Sequence, residues 1–195
     1  MDEIIQLKIT LEGTKPPIWR RILVDKETTF FELHHIIQIS MGWFNSHLYE
    51  FDFKNFLIGE PDDEFGSGIS RILKASEVTL GSMITAPKET FKYEYDFGDG
   101  WGHKILVEKF LARDPKNQYP SCIAGKLNCP PEDCGGVGGF YQMLDVLANK
   151  KHPGRKEMIE WLGEEYDSEY FKIDEINEEL NDLDGYIEFW TDDKF

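Results

Sequence analysis

Aromatic and polar residues alternate over residues 91–97, which is the clearest two-residue repeat in the chain. The alternation predicts a β-strand with one buried face, because successive side chains point to opposite faces of a strand. The Gly98-Asp99-Gly100 segment that follows is typical of a tight turn and predicts a return strand over residues 105–110. The chain is therefore predicted to contain a hairpin with an aromatic face that must pack against a core.

The segments before this hairpin predict a sheet and one helix. Residues 5–11, 18–24 and 49–53 show strand-like alternation. Residues 30–41 carry apolar side chains at helical spacing and are preceded by a capping-box pattern that starts at Thr29. The order strand, strand, helix, strand, hairpin resembles a β-grasp arrangement, in which a mixed sheet wraps one helix. The predicted fold class is α+β.

The chain of 195 residues is long enough to bury a core without disulfides and is predicted to form a single domain. The predicted parts are a β-grasp-like sheet and helix over 1–112, a Cys/Pro/Gly-rich loop over 113–139, and an acidic helical extension over 140–195 that packs on the same domain. Within the extension, helices are predicted over 140–149, 155–162 and 174–183. A further loop, rich in Gly, Asp and Pro, is predicted over 59–68.

Acidic residues are concentrated at the C-terminal end of the chain. The formal net charge is −16, and residues 157–195 contribute fifteen Asp and Glu against two Lys, or −13. Such a surface repels phosphate backbones, so we expect a protein partner and not a nucleic acid. The chain starts without a signal-peptide pattern, and no apolar run approaches the ~20 residues of a membrane span. These features predict a cytoplasmic protein without a membrane segment.

Three cysteines lie close together between Pro and Gly clusters: Cys122, Cys129 and Cys134. Cytoplasmic thiols stay reduced, so the trio indicates metal binding, catalysis or burial and not disulfides. Zinc prefers thiolate and imidazole in a set of four, and His103 is the best fourth candidate, followed by His47. This predicts a structural zinc site, with simple packing of the thiols as the alternative. A thiol nucleophile is less well supported, because no known nucleophile signature surrounds these cysteines.

Carboxylates and one histidine near the hairpin suggest a second kind of site. Asp96, Asp99, Glu132 and Asp133 are the candidate catalytic residues of a metal-assisted hydrolase or nuclease, with His103 as the imidazole among them. Each carboxylate also has a structural alternative. Asp99 favours a turn, and Glu132 or Asp133 can cap the helix that follows.

Two residues are candidates for recognition. Trp101 lies in a glycine-flanked turn beside His103, and we expect its ring to be exposed. His47 opens the strand predicted over 49–53 and is the second candidate. A binding or adaptor module is the leading interpretation, with the hydrolase or nuclease as the alternative.

Several blocks of the sequence together resemble one known family. They are 33–43 (LHHIIQISMGW), 47–51 (HLYEF), 93–103 (YEYDFGDGWGH) and 119–141, which contains PPEDCGG. These blocks resemble, in this order, the motifs of the Ri-plasmid open-reading-frame-three-like family, also described as insertion-element passenger proteins of TnpR type. The likeness spans about residues 4–180.

The resemblance implies a small cytoplasmic α+β protein of plasmids, mobile elements or prokaryotic chromosomes, without an established activity. The resolvase-like label finds no support in the sequence, since a serine recombinase needs a basic DNA-binding domain and this chain ends in acidic residues. The positions that match the family's motifs and carry reactive or recognition groups are His47, Asp96, Asp99, Trp101, His103, Glu132, Asp133 and Cys134.

Overall fold

A computed structural model describes residues 3–60 and 72–191 of the chain, and within them one eight-stranded sheet and six α-helices form. The strands are β1 (Glu3–Leu11), β2 (Trp19–Asp25), β3 (Tyr49–Phe53), β4 (Phe56–Gly59), β5 (Ile72–Lys74), β6 (Thr90–Tyr95), β7 (Trp101–Ala112) and β8 (Ser121–Lys126). The helices are α1 (Phe30–Met41), α2 (Leu80–Met83), α3 (Gly136–Ala148), α4 (Arg155–Leu162), α5 (Ile173–Leu180) and α6 (Leu183–Thr191). A single 3-10 turn covers Ala75–Glu77.

The strand order across the sheet is β5-β4-β3-β6-β7-β1-β2-β8. Every neighbouring pair is antiparallel except β4 and β5, so the sheet is mixed. The α+β class is therefore confirmed. The narrower β-grasp-like description is not confirmed, because β1 pairs antiparallel with β7 in a larger, eight-stranded sheet that also recruits β8 from late in the chain.

The aromatic hairpin predicted from the alternation is present as β6 and β7. Phe91, Tyr93 and Tyr95 are buried, and the two polar residues between them are exposed. In register, Tyr93 lies opposite His103 and Tyr95 lies opposite Trp101. Trp101 is completely buried, so the expectation of an exposed ring is wrong: this residue opens β7 and its side chain points to the core face.

Helix α1 covers the apolar face of the sheet and has the predicted bounds. The Thr29 side chain accepts a hydrogen bond from Glu32 N, and the Glu32 carboxylate accepts one from Thr29 N, which completes the capping box. Such a cap stabilises a helix by about 1 kcal/mol. Gly42 ends α1 in the left-handed conformation, with φ of 77°. The chain then turns sharply into the segment that carries His47.

Several boundaries differ from the sequence predictions. The region predicted as loop over 113–139 contains β8, an edge strand that pairs with β2. Its outer edge is covered in part by Asn177 of α5, whose side-chain amide bonds to both the N–H and the C=O of Cys122. Helix α3 starts at Gly136, four residues before its predicted start. The loop predicted over 59–68 lies outside the described residues apart from its first two.

The C-terminal helices pack against the rest of the described chain. Helix α5 contacts α1 and β8, and α6 contacts α1. None of the helices within residues 3–60 and 72–191 is long and apolar enough to cross a lipid bilayer.

Candidate metal centre

Three segments that are distant in sequence meet at one end of the hairpin: residues 43–47 after α1, the turn between β6 and β7, and the loop that leads into α3. The Gly135 N–H donates to Asp99 Oδ2 at 3.0 Å, which joins the turn to the loop. The Tyr95 hydroxyl donates to the Glu132 carboxylate, which also accepts from Phe44 N at 2.9 Å. The loop is therefore held against both of the other segments.

His47, Asp96 and Asp133 bring their side chains together where these segments meet. His47 Nε2 lies 3.7 Å from Asp96 Oδ2 and 3.2 Å from Asp133 Oδ1. One ligand atom from each of the three residues lies within 4.8 Å of the others. Among the His, Cys, Asp and Glu side chains of residues 3–60 and 72–191, this is the one group of three or more that meets so closely.

Asp96 is the buried member of the group and is oriented by its own turn. Its Oδ1 accepts hydrogen bonds from Gly98 N at 2.9 Å and Asp99 N at 3.3 Å, and its backbone C=O accepts from Gly100 N. Oδ2 is left facing His47. Hydrogen bonds of this kind to a ligating carboxylate fix its direction and strengthen a metal site.

Asp133 is the exposed member, with 71% of its side chain accessible. The preceding residue, Glu132, anchors the loop through the Tyr95 hydroxyl and the Phe44 N–H. Tyr95 OH in turn accepts from Ser46 N at 2.9 Å. Burial and the nearby Glu132 carboxylate raise the pKa of Tyr95, so its hydroxyl keeps its proton. This arrangement ties the segment before His47 to the loop that carries Asp133.

A buried polar network on α1 supports the segment that presents His47. Gln38 Oε1 accepts from Asn45 N at 3.1 Å, and Gln38 Nε2 donates to the Tyr93 hydroxyl at 2.9 Å. The Tyr93 hydroxyl lies 2.8 Å from His34 Nδ1, and His34 Nε2 contacts Asn45 Oδ1. Burial lowers the pKa of His34 well below its usual value, so this imidazole is neutral. Its Nε2–H then donates to Asn45, and Nδ1 accepts from Tyr93.

The geometry of the group fits a divalent ion. A tetrahedral ion with bonds of about 2.0–2.2 Å separates its ligand atoms by about 3.3–3.6 Å, close to the two distances from His47 Nε2. That nitrogen is shielded from solvent, yet it makes no hydrogen bond of good geometry with any described residue. One imidazole and two carboxylates suit first-row divalent ions such as Zn²⁺ and Mn²⁺. Three protein ligands with one exposed member leave room for water, as in catalytic zinc sites.

The four side chains predicted as zinc ligands do not come together in this way. Cys122 lies buried on β8, and its thiol contacts Ala124 O. The Cys129 thiol accepts from Arg20 Nη2 at 3.1 Å and lies in the core. The Cys134 thiol points to a backbone carbonyl in its own loop. The imidazole of His103 is fully buried on β7 between aromatic rings.

The thiols are also poor nucleophiles. Burial raises the pKa of Cys122 and Cys129, and it raises the pKa of Cys134 to about 12, with a further contribution from Asp99. Thiols with such pKa values remain protonated at neutral pH. Burial lowers the pKa of His103 to about 4, which leaves the imidazole neutral. Among the residues that the structure describes, no second group of three or more metal-ligating side chains forms around it.

The candidate carboxylates divide into ligands and supports. Asp96 and Asp133 belong to the group around His47, whereas Asp99 and Glu132 hold the turn and the loop together. Sequence reasoning missed Tyr95, whose hydroxyl links the Ser46 N–H to Glu132. Its place in the aromatic alternation indicated burial, and a buried tyrosine hydroxyl normally needs a hydrogen-bond partner.

Comparison with known proteins places the chain in a family. The profile of the Plasmid pRiA4b ORF-3-like protein family matches residues 3–175. The chain belongs to this family. The resemblance seen in the sequence motifs is thereby confirmed, and His47, Asp96 and Asp133 all lie inside the part of this ORF-3-like chain that the family profile covers.

Two relatives of this ORF-3-like chain match most of its length. The uncharacterized protein y4hQ of Sinorhizobium fredii is 36% identical over 182 residues, which cover 92% of each chain. The crystal structure of the protein of unknown function MM3350 from Methanosarcina mazei Go1 superposes with a TM-score of 0.81. That match has 36% identity and covers 89% of this chain and 97% of the other. Neither relative's name states an activity.

Proposed function

We propose that this protein binds a first-row divalent ion, Zn²⁺ or Mn²⁺, through His47, Asp96 and Asp133, and that the bound ion supports hydrolysis. The observation that carries the proposal is the convergence of one buried, unbonded imidazole nitrogen on two carboxylate oxygens from different segments. Zinc remains the cofactor we propose from the sequence, but with these ligands in place of the cysteines.

An ion at this position would lower the pKa of a bound water to near neutrality and so supply a nucleophile. The protein's own contribution is to hold the ligands. Asp96 is fixed by the amides of its turn, His47 by the network on α1, and Asp133 by the anchored Glu132. The site opens to solvent on the Asp133 side, where a substrate has access.

The surroundings of the site favour a neutral or cationic ester or amide substrate over a nucleic acid. Glu132 and Asp133 line an adjoining groove that is also lined by Glu164, Glu165 and Asp167. A row of carboxylates repels a phosphodiester backbone. Of the two reactions considered from the sequence, we therefore propose a hydrolase and not a nuclease.

Metal binding is tested by calorimetric titration of Zn²⁺ and Mn²⁺ into chelator-treated protein. We expect one ion per chain, and at least a tenfold loss of affinity in His47→Ala and in Asp96→Asn. Each variant removes one of only three protein ligands to the ion. The matched control is His152→Ala, which removes a histidine outside the group and is expected to keep the affinity of the wild type.

Hydrolysis is tested separately with the metal-loaded protein on a carboxylic ester, an amide and a phosphodiester. We expect turnover of the ester or amide that disappears in Asp96→Asn.

Equal metal affinity in the wild type and in both ligand variants would contradict the metal site. Metal binding without turnover of any of the three substrates would contradict the hydrolase alone.

A further inference from the structure

A groove of about 720 Å³ adjoins the candidate metal centre, because Asp133 also lines it. Three segments line the groove: the residues after α1, including Phe44, residues 128–133, and the end of α4 with the connection to α5, including Trp161 and Tyr170. A volume of this size lies within the range of about 300–1,000 Å³ typical of sites that bury most of an organic ligand.

The groove is negatively charged along its length. Five carboxylates line it, and they are Glu132, Asp133, Glu164, Glu165 and Asp167. Among the described residues that line it, none is lysine or arginine. Arg155 pairs with Glu165 at 3.2 Å, and Lys172 pairs with Glu175 at 2.7 Å. Arg20 is buried behind Cys129, where its Nη2 donates to the Cys129 thiol at 3.1 Å. A ligand that is complementary to this groove must carry positive charge.

Exposed aromatic rings provide a second, independent feature of the same groove. Phe44 is 64% exposed, Trp161 50% and Tyr170 42%, among nine large hydrophobic side chains that are exposed in the described part of the chain. Such rings in a soluble protein mark a binding surface when they cluster. Aromatic faces attract cations, and tryptophan is the best partner. Tyr170 shows the effect within the chain, because Lys172 Nζ lies 5.0 Å from its ring centroid.

We propose that this groove docks a peptide segment that carries arginine side chains. A guanidinium group stacks on a flat ring and forms paired hydrogen bonds with a carboxylate, and the groove offers rings and carboxylates together. The apolar part of the lining, which includes Pro130 and Leu162, accommodates an aliphatic residue between two arginines. Anionic lipids and nucleic acids are repelled by the same carboxylates. A free polyamine satisfies the charge but has no plane to stack on the rings.

Docking in this groove goes beyond the proposed hydrolase and does not need the ion, because Trp161, Glu164 and Glu165 are not metal ligands. The test is calorimetric titration of chelator-treated full-length protein with the peptide Ala-Arg-Leu-Arg-Ala, blocked at both ends. We expect saturable binding to the wild type, and none to the same peptide with both arginines replaced by glutamine. Affinity should be at least tenfold weaker, or ~1.4 kcal/mol, in Trp161→Ala, because the stacking face is lost.

Charge variants separate a specific groove from general attraction to an acidic protein. We expect the double variant Glu164→Gln and Glu165→Gln to weaken binding at least tenfold. The control is Glu178→Gln with Glu188→Gln, which removes two exposed carboxylates outside the groove and should change affinity less than twofold. Equal weakening by the two double variants would overturn the proposal. So would unchanged affinity in Trp161→Ala, or binding of spermine at least as tight as that of the arginine peptide.

Asp96→Asn keeps this test distinct from that of the metal site. We expect the variant to lose metal affinity and still bind the arginine peptide, measured in chelator. Loss of both activities in a variant that remains folded, as judged by circular dichroism, would overturn the independence of the groove.

Discussion

Asp96 and Asp133 both adopt left-handed backbone conformations, with φ of 56° and 58°. Non-glycine residues rarely have positive φ, although aspartate tolerates it better than most, and such residues cluster at functional sites. Asp96 gains compensating hydrogen bonds from its turn. The Asp133 carboxylate is largely exposed, and its partner among the described residues is His47. Its backbone conformation is therefore kept without an evident gain in stability.

At the residue scale, the variant Asp133→Gly separates the contribution of Asp133 to stability from its contribution to metal binding. Glycine removes the cost of the left-handed backbone, so the free energy of unfolding should stay the same or rise by up to ~1 kcal/mol. Metal affinity should fall at least tenfold because a ligand is lost. Urea unfolding and metal calorimetry measure the two quantities. Lys88→Gly is the matched control, since Lys88 also has positive φ, at 73°, on an exposed loop. The Lys88→Gly variant should be at least as stable as the wild type and keep its metal affinity.

A loss of stability in Asp133→Gly, together with unchanged metal affinity, would show that Asp133 serves the fold and not the ion.

Individual residues of the site were largely predictable, but their grouping was not. His47, Asp96 and Asp133 were each among the candidates selected from the sequence. His47 was assigned to recognition and was only the second choice, after His103, as a ligand that completes a zinc site with the cysteines. Thiol clustering in sequence says nothing about where each Sγ points, and Cys129 is directed into the core against Arg20.

At the scale of elements, glycine in the first turn of α3 allows the close approach to the hairpin turn. A Cβ on Gly136 would lie 2.3 Å from the backbone oxygen of Asp99, and Gly136 has φ of 65°. Gly139 is equally confined, since its Cβ would lie 1.8 Å from Cys134 O. Backbone atoms cannot rotate away as a side chain can. The glycines therefore permit the contact that brings Asp133 to Asp96.

Gly136→Ala should disrupt this contact. We expect it to lower the free energy of unfolding by more than ~2 kcal/mol, because both the φ angle and the clash with Asp99 O oppose a side chain. It should also weaken metal binding. Gly138→Ala is the control two residues later in α3, where a Cβ meets nothing within 4 Å. There alanine should raise the free energy of unfolding by ~0.4–1 kcal/mol through its helix propensity.

Chemical denaturation of both variants, with metal titration of each, measures these effects. Equal free energies of unfolding for Gly136→Ala and Gly138→Ala would contradict the close approach of Gly136 to the backbone oxygen of Asp99.

The elements that periodicity predicts well are those whose burial follows a local pattern. Helix α1 carries a capping box and an apolar stripe, and β6 carries a strict alternation, so both were predicted with good bounds. Strand β8 has no such alternation and is defined by its pairing with β2 and by Asn177. The first turn of α3 is rich in glycine, which disfavours a helix by about 1 kcal/mol per residue, and forms because tertiary contacts require it.

At the scale of the whole molecule, the order of the strands was beyond the reach of sequence reasoning. Sequence neighbours such as β1 and β2 do pair, but β1 also pairs with β7 about a hundred residues later. The pairing of each strand with its neighbours depends on surfaces that exist only after the sheet has formed. The same nonlocal packing buries three histidines, His34 and His35 on α1 and His103 on β7, although His103 was a predicted metal ligand.

These histidines make the stability of the whole molecule depend on pH. Burial lowers the pKa of His35 and of His103 to about 4 each, and that of His34 lies well below its usual value. In the unfolded chain an imidazole titrates near pH 6.5. Between about pH 6.5 and 4 the unfolded state therefore binds more protons than the folded state, and the free energy of unfolding falls as pH falls.

Above about pH 6.5 these histidines do not lower the free energy of unfolding. Below that pH the free energy of unfolding falls progressively, by about 2 kcal/mol per imidazole at pH 5 for His35 and His103.

Urea unfolding in chelator from pH 7.5 to 5.0 measures this dependence. In His103→Gln the free energy of unfolding should change less steeply with pH, by the contribution of one imidazole, because one proton fewer is taken up on unfolding. This holds even if the variant is less stable than the wild type at every pH. A free energy of unfolding that stays constant over this pH range would contradict the prediction. It would mean that the core histidines are protonated as readily in the folded protein as in the unfolded chain. The packing of α1 and β7 around them would then be looser than the structure shows.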